Sequence, residues 1–529
     1  MKSLAMRAAL TGFLAALACC ALADEPLRVG HITIRSLNVF SPEEAARGWL
    51  YRAADALHIE TRESVIRKFL LFREGEPYDP ARLEETERNL RVLPFLKAAS
   101  VLPGPPHDGV VDVMVTTQDA WTTQPGISFG KKGGVTTYSF SFEEKDLLGT
   151  GRSATISYGK DPDRIDRLVE YKDPYLLGPY WNSDFLYSAN SDGTEEAVRI
   201  GRPFYSFVSP WSADFLLTHL SQNDRIFEDG EESSLFQQVH REFHVRYGRA
   251  LTASDARARR LSVGFEVLED EFNHVPDHPN DVLPDNRKFR YVGLKYEDVS
   301  NDFIKLNYVN RDSRIEDFNL GRSFSVTAAV SPSLFGLDRT TEFLQAQGDE
   351  GWRLSPWSFL QAHLGFETRL DRGVQNAILS ANVNFVRKFD TSLLQTFVSH
   401  LQYDQAWNLD RDVQFFADGA NGLRGYRLHS FEGNKRIIWN LEHRLFTGRE
   451  ILQLASFGAA VFFDTGTATP EGRPLKLSEF KSDVGVGLRI AISRASTNSI
   501  IRIDAAYPLN PDPFGRKGWL ISFSSGQVF

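Results

Sequence analysis

Arg424 lies in the run Leu423-Arg424-Gly425-Tyr426, behind Gly419-Ala420-Asn421-Gly422 and ahead of strand-like segments that continue to the terminal Phe529. A guanidinium on a glycine-flanked loop can fasten that loop to buried carboxylates, because its planar fork takes a carboxylate through two parallel N–H bonds. Alternation supplies two candidate partners. In the run from Arg436 to Arg444, Ile437, Trp439 and Leu441 share one face and Asn440, Glu442 and Arg444 the other. With the apolar face against lipid, Glu442 points into an enclosed interior. The next run, Phe457 to Asp464, sends Phe457, Val461 and Phe463 outward and places Asp464 inside with Gly458, Ala460 and, less comfortably, Phe462. The two small residues leave room for a loop against the inner wall. At an effective dielectric of roughly 20, a contact at about 4 Å carries a Coulomb energy of about 4 kcal/mol before desolvation is subtracted. The plainer alternative, an Arg424 that lines a solvated channel, predicts a different response to replacement of Asp464.

Other chemistry finds little support. The 12 histidines fall in no metal-ligand spacing, and His274 and His278 sit in a polar loop. No serine occupies a nucleophile elbow. Gly149-Thr150-Gly151 is no phosphate loop, because the strand-like Arg152 to Tyr158 comes next where a helix would begin. The expectation is a non-enzyme with no cofactor and no metal. An acidic balance, net −9 over the whole chain, excludes a nucleic-acid binder.

The elements that position Arg424 belong to an exported chain. Lys2 and Arg7 precede an apolar core from Ala8 to Ala18 and a small-residue exit at Ala21-Leu22-Ala23, which reads as a signal peptide over residues 1–23 cleaved before Asp24. A lipoprotein would use Cys19 or Cys20, but Ala16 and Cys19 stand where such a signal wants leucine and a small residue. Those are the 2 cysteines of the chain, so the mature protein holds no disulfide. Beyond the leader no stretch approaches about 18 uninterrupted apolar residues, so membrane residence must come from strands. The 39 phenylalanines, 16 tyrosines and 9 tryptophans suit a barrel with aromatic girdles better than a soluble sandwich or propeller.

Two periods divide the mature chain. From Leu27 to about Thr117 the pattern is mixed: a strand at His31 to Arg35, a helix carrying Val65, Ile66, Phe69 and Leu70 after a cap at Thr61, a second helix opening at Asp79-Pro80, and strands at Ala98 to Val101 and Val111 to Val115. From Trp121 onward the period is two, as in Leu261, Val263, Phe265 and Val267, or Ile501, Ile503, Ala505 and Tyr507 against Arg502 and Asp504. Roughly sixteen to nineteen strand runs can be counted.

With these residues in view, the chain resembles the outer-membrane assembly and translocation superfamily, the BamA/TamA-like factors and their two-partner-secretion relatives. Glu74-Gly75-Glu76-Pro77-Tyr78-Asp79 and Leu93-Pro94-Phe95-Leu96 resemble a POTRA domain around its second helix. Leu423-Arg424-Gly425-Tyr426 is similar to the inward-loop motif, Phe462-Phe463-Asp464-Thr465-Gly466 to the motif of a later strand, and Val484-Gly485-Val486-Gly487-Leu488-Arg489 to the strand after that. The resemblance covers essentially the whole mature chain. It implies a mainly β fold: one small α/β POTRA-like periplasmic domain at 24–118, then a transmembrane antiparallel β-barrel of about 16 strands at 119–529, with an inward loop around 417–430 whose arginine is locked against acidic residues of neighbouring strands. It implies a bacterial outer-membrane protein that helps polypeptides insert into or cross the membrane without nucleotide hydrolysis. Its partners would be unfolded outer-membrane or secreted polypeptides, outer-membrane lipid and periplasmic chaperones. The seam would join a strand near Gln124 to Gly130, softened by Gly126, Gly130, Gly133 and Gly134, with one near Trp519 to Phe529, the closing-strand end. Three departures stand out: a single POTRA-like domain, Gln527 where the terminal signal prefers an apolar residue, and a long segment before the inward loop. A transporter for one dedicated partner and a passive porin are the alternatives.

Overall fold

The computed structural model describes residues 26–132, 135–161, 164–228, 230–389, 391, 393–452, 454–495 and 500–525. The leader at 1–23, Gly133, Gly134, Gln527 and Phe529 lie outside the described residues.

The N-terminal part builds a three-stranded sheet from β1 (Arg28–Leu37), β2 (Leu96–Pro103) and β3 (Val110–Asp119), in the order β1-β3-β2. β1 lies parallel to β3 because helical segments cross over between them, and β2 returns antiparallel. Inward-facing Ile32, Ile34, Val113 and Val115 pack against Val65, Ile66, Leu83, Leu90 and Phe95 in one core. Each such side chain contributes about 1.5–3 kcal/mol on burial.

Four helices cross the connection: α1 (Pro42–Ala45), α2 (Trp49–Leu57), α3 (Glu63–Lys68) and α4 (Pro80–Arg91). α4 begins where its sequence says it should, with the Asp79 carboxylate accepting from the Ala81 N–H at 3.0 Å and proline at its first position. α3 departs from the expected cap. It starts at Glu63 with Arg62 as an N-cap that makes no side-chain bond. Thr61 works elsewhere, its Oγ1 donating to Asp146 and its N–H to Asp119, both at 2.7 Å. α1 and α2 went unread in the sequence, although Ser41 and Glu44 form a reciprocal capping box.

The remaining chain folds into a closed antiparallel barrel of twenty consecutive strands among the described residues. This corrects the count of about 16 implied by family resemblance. Five barrel strands come after the loop that carries Arg424 and fifteen precede it. The surplus lies in the long segment before the loop, where residues 123–202 alone supply six strands of eight to ten residues. The ring closes where the strand Leu520–Ser525 meets Thr123–Lys132, with Phe523 opposite Lys131. No described helix is long and apolar enough to cross a membrane, which says nothing of strands.

Side chains alternate across the wall. Trp439, Val461, Val486, Leu488 and Ile501 are exposed on the outside, while their neighbours Glu442, Asp464 and Asp504 are completely buried inside.

Where the N-terminal sheet meets the barrel, burial pushes the Asp119 carboxyl up to about 7, against the opposing pull of the Thr61 N–H. Burial likewise lowers the facing His58 imidazole and raises Asp146. An acid raised on folding holds its proton in the folded state after the unfolded chain has released it, so its stabilisation is lost as pH rises toward the folded value. Relative to an Asp119→Asn variant, the wild-type protein is expected to lose about tenfold in folding equilibrium per pH unit from about 4 to 7 and nothing further above. Native-state hydrogen exchange of the N-terminal domain measures it, and a constant difference between the two proteins would refute it.

Candidate functional site

Between the strands Leu394–Trp407 and Lys435–Ile451 the chain turns back into the lumen. Its entry is tied to the wall. Arg287 bonds Asp412 at 2.7 and 2.8 Å and lies 2.9 Å from Asp410, which also takes Arg369. Phe415–Phe416 then pairs with Glu432–Gly433, closing the loop on itself. Inside that closure Asp418 organises the turn: one carboxylate oxygen accepts from the Ala420 and Asn421 N–H groups at 2.9 and 3.0 Å, the other from His429 at 2.6 Å. Gly422, at φ +106°, allows the chain to reverse without a Cβ clash against Ile438.

This turn presents the four motif residues to different surroundings. Leu423 and Tyr426 are buried with Ala417 and Ile438, and the Tyr426 hydroxyl donates to the Ser482 carbonyl at 3.0 Å. Arg424 reaches the inner wall. Its Nε and Nη2 hold the two oxygens of Asp464 at 2.7 and 2.9 Å, and Nη1 holds Glu442 at 2.6 Å. The guanidinium carbon sits 3.4 Å from the centre of the Phe462 ring, which gives this inward aromatic its purpose as a stacking surface. The side chain is almost wholly buried, so these contacts act in a dry space.

Arg424 is the centre of a larger lattice. Asn440 donates to Asp464 at 2.7 Å and to the loop carbonyl of Gly422 at 2.6 Å. Glu442 also receives Arg444 at 2.9 Å and Arg489 at 3.3 Å, and Arg489 continues to Asp504 at 2.6 Å. Asp504 lies 3.6 Å from Arg424 and 3.0 Å from Arg502. Registration explains the lattice, since Glu442 faces Phe462, Phe462 faces Gly485, and Gly487 faces Asp504 on successive strands. A Cβ on Gly485 would come within 2.2 Å of the Phe462 ring, and one on Gly487 within 2.3 Å of Arg489 Nη1. The glycines of this strand therefore make the space that the ring and guanidinium occupy.

Arg489, Arg502 and Asp504 were not singled out as site residues in the sequence. The same parity that turned Glu442 inward would have found them, because Arg489 shares a face with Asp483, Gly485 and Gly487. Phe529 lies outside the described residues.

Gly425 sits where no side chain fits. A Cβ there would lie 2.6 Å from Asp483 Cβ and 3.2 Å from the Pro508 nitrogen, neither of which is a flexible side-chain end. Gly425→Ala should destabilise the docked loop by about 1–3 kcal/mol, as overpacking does. Faster proteolysis between residues 408 and 434 reports it, and an unchanged cleavage rate would show that the wall gives way.

No family model and no curated protein matches this chain. Among solved structures, it is similar to CdiB from Acinetobacter baumannii, with 12% identity and a TM-score of 0.47 over 95% of this chain and 74% of that one. CdiB from Escherichia coli gives 12% and 0.45 over 94% and 76%. BamA from Haemophilus ducreyi lacking POTRA domains 1-3 gives 11% and 0.37 over 94% and 84%.

Proposed function

We propose that this chain is an outer-membrane barrel of the BamA/TamA-like superfamily that inserts polypeptides into, or passes them across, the bacterial outer membrane, with its N-terminal sheet acting as a periplasmic POTRA domain. The observation that carries this reading is the buried clasp of Arg424 on Asp464 and Glu442, which holds a re-entrant loop inside the barrel. A loop clasped to the inner wall through a buried arginine suits a machine whose wall or lumen changes state. Two features add support. The exterior alternates exposed Trp439, Val461 and Val486 with a charged interior, as lipid outside and an enclosed lumen inside require. The N-terminal sheet ends in β2, which pairs only with β3 among the described strands and can accept an extended polypeptide as a further strand.

A photo-crosslinker placed at Ser100 or Leu102, on β2, tests this in cells. Capture of nascent outer-membrane proteins is expected. A single secreted partner would select the transporter instead. Failure to capture any polypeptide, together with a wide conductance indifferent to Asp464→Ala, would make the chain a porin.

A further inference from the structure

The connection between the strands Arg287–Ser300 and Ser323–Ser331 contains a small hairpin, Phe303–Leu306 against Glu316–Asn319, that joins no barrel ladder. It enters the lumen from the end at which the N-terminal domain sits. Ile304, Leu306, Val309 and Leu320 are buried against Phe359, Val386 and Val398, which face inward on three adjacent wall strands. Its tip is shaped by Glu316, whose carboxylate accepts from the Asn310 and Arg311 N–H groups at 2.9 and 3.1 Å. The tip runs on along the same side of the wall. Thr396 donates to the Tyr308 carbonyl at 2.6 Å, Ser456 bonds Asp312, and Arg314 reaches the Ala495 carbonyl at 2.6 Å.

The hairpin is then held from two sides. From outside, α4 grips it: Arg91 bonds Asp317 through two N–H groups at 2.9 and 2.7 Å, Lys305 lies 3.3 Å from Glu87, and the Arg88 guanidinium covers the Phe303 ring at 4.4 Å. From inside, Arg444 donates to the Val309 carbonyl at 2.7 Å while its Nε holds Glu442, the same carboxylate that holds Arg424. One arginine thus joins the lumen hairpin to the clasped loop.

We propose that segment 301–322 is a retractable plug of the periplasmic mouth, seated by the Arg91–Asp317 pair, so that movement of α4 controls both lumen access and the support beneath the Arg424 clasp. This rests on the N-terminal domain lying on the periplasmic side. Arg91 is 7% and Asp317 11% exposed at the side chain, so the pair is largely desolvated and deleting either partner leaves the other charge buried. A polypeptide added to β2 would press on α4 directly, because Glu87 of that helix already takes the Val101 N–H of β2 at 3.1 Å. A carbonyl of the added strand would take that N–H in place of Glu87, disturbing the carboxylate that also faces Lys305.

The test uses full-length protein in liposomes carrying Val309→Cys, a buried tip position, read by maleimide labelling from the periplasmic side. Adding Arg91→Ala should raise the labelling rate at least tenfold, and adding Arg91→Lys should return most of the protection; Asp317→Asn provides the same break from the barrel side. Arg35→Ala, on β1 away from the hairpin, should leave the rate unchanged. Equal labelling with and without Arg91 would make the hairpin a permanent strut and overturn the proposal. Labelling does not depend on any substrate, so this failure is separable from a failure to capture polypeptides at β2.

Discussion

Arg424→Ala is expected to release the inward loop and cost the barrel about 3–5 kcal/mol, the cost of breaking a buried ion pair by deleting one partner. Asp464 and Glu442 are both fully buried, so alanine leaves two carboxylates in a dry wall with weakened compensation. The Phe462 ring loses its cation as well. The temperature at which the detergent-solubilised barrel loses its compact electrophoretic mobility should fall. Protease should cut between residues 408 and 434, and bilayer conductance should rise. Arg424→Lys retains the charge but not the fork, and falls between the two. Combining Arg424→Ala with Asp464→Ala should cost much less than the sum of the single changes, since each already breaks the same contact. An Arg424→Ala barrel with wild-type melting, cleavage and conductance would show that the loop is held by Leu423 and Tyr426 alone.

Glu442→Ala should be at least as damaging, for a different reason. One carboxylate here serves Arg424, Arg444 and Arg489 at 2.6, 2.9 and 3.3 Å. Its loss leaves three buried guanidiniums close together, with repulsion added to desolvation. The expected cost is about 3–5 kcal/mol or more, and the damage should spread beyond the loop. Arg444 also holds Val309, so the lumen hairpin should loosen, and cysteine labelling at that position should accelerate together with loop proteolysis. Glu442→Gln keeps the shape and one acceptor oxygen, and should recover packing but not charge balance. Loop release without any change at Val309 would separate the two inserts and remove Arg444 as their link.

Much of this architecture can be read along the chain because strands write their two faces alternately. Trp439 beside Asn440, or Val461 beside Phe462, declares a wall with an inside and an outside. The helix α4 is equally local, set by Asp79 and Pro80. Thr61 misled for a physical reason: a hydroxyl ahead of a helix is a cap only if nothing better is near, and Asp146, 85 residues on, offers a buried carboxylate. The count of about 16 came from the family resemblance, while alternation alone, with its soft boundaries, gave sixteen to nineteen runs against the twenty strands of the ring.

The order of residues by itself determined an alternating wall, an inward parity for Glu442, Arg444 and Asp464, and a glycine-flanked arginine able to reach them. Only the tertiary structure decided how many strands close the ring, that Arg489 and Asp504 extend the charge lattice, and that the hairpin within 301–322 packs on the inner wall. The reason is range: parity acts between neighbours in sequence, whereas the contacts of Arg444 with Val309 and of Arg91 with Asp317 join residues 135 and 226 positions apart. Such pairings exist only once the barrel has closed around them.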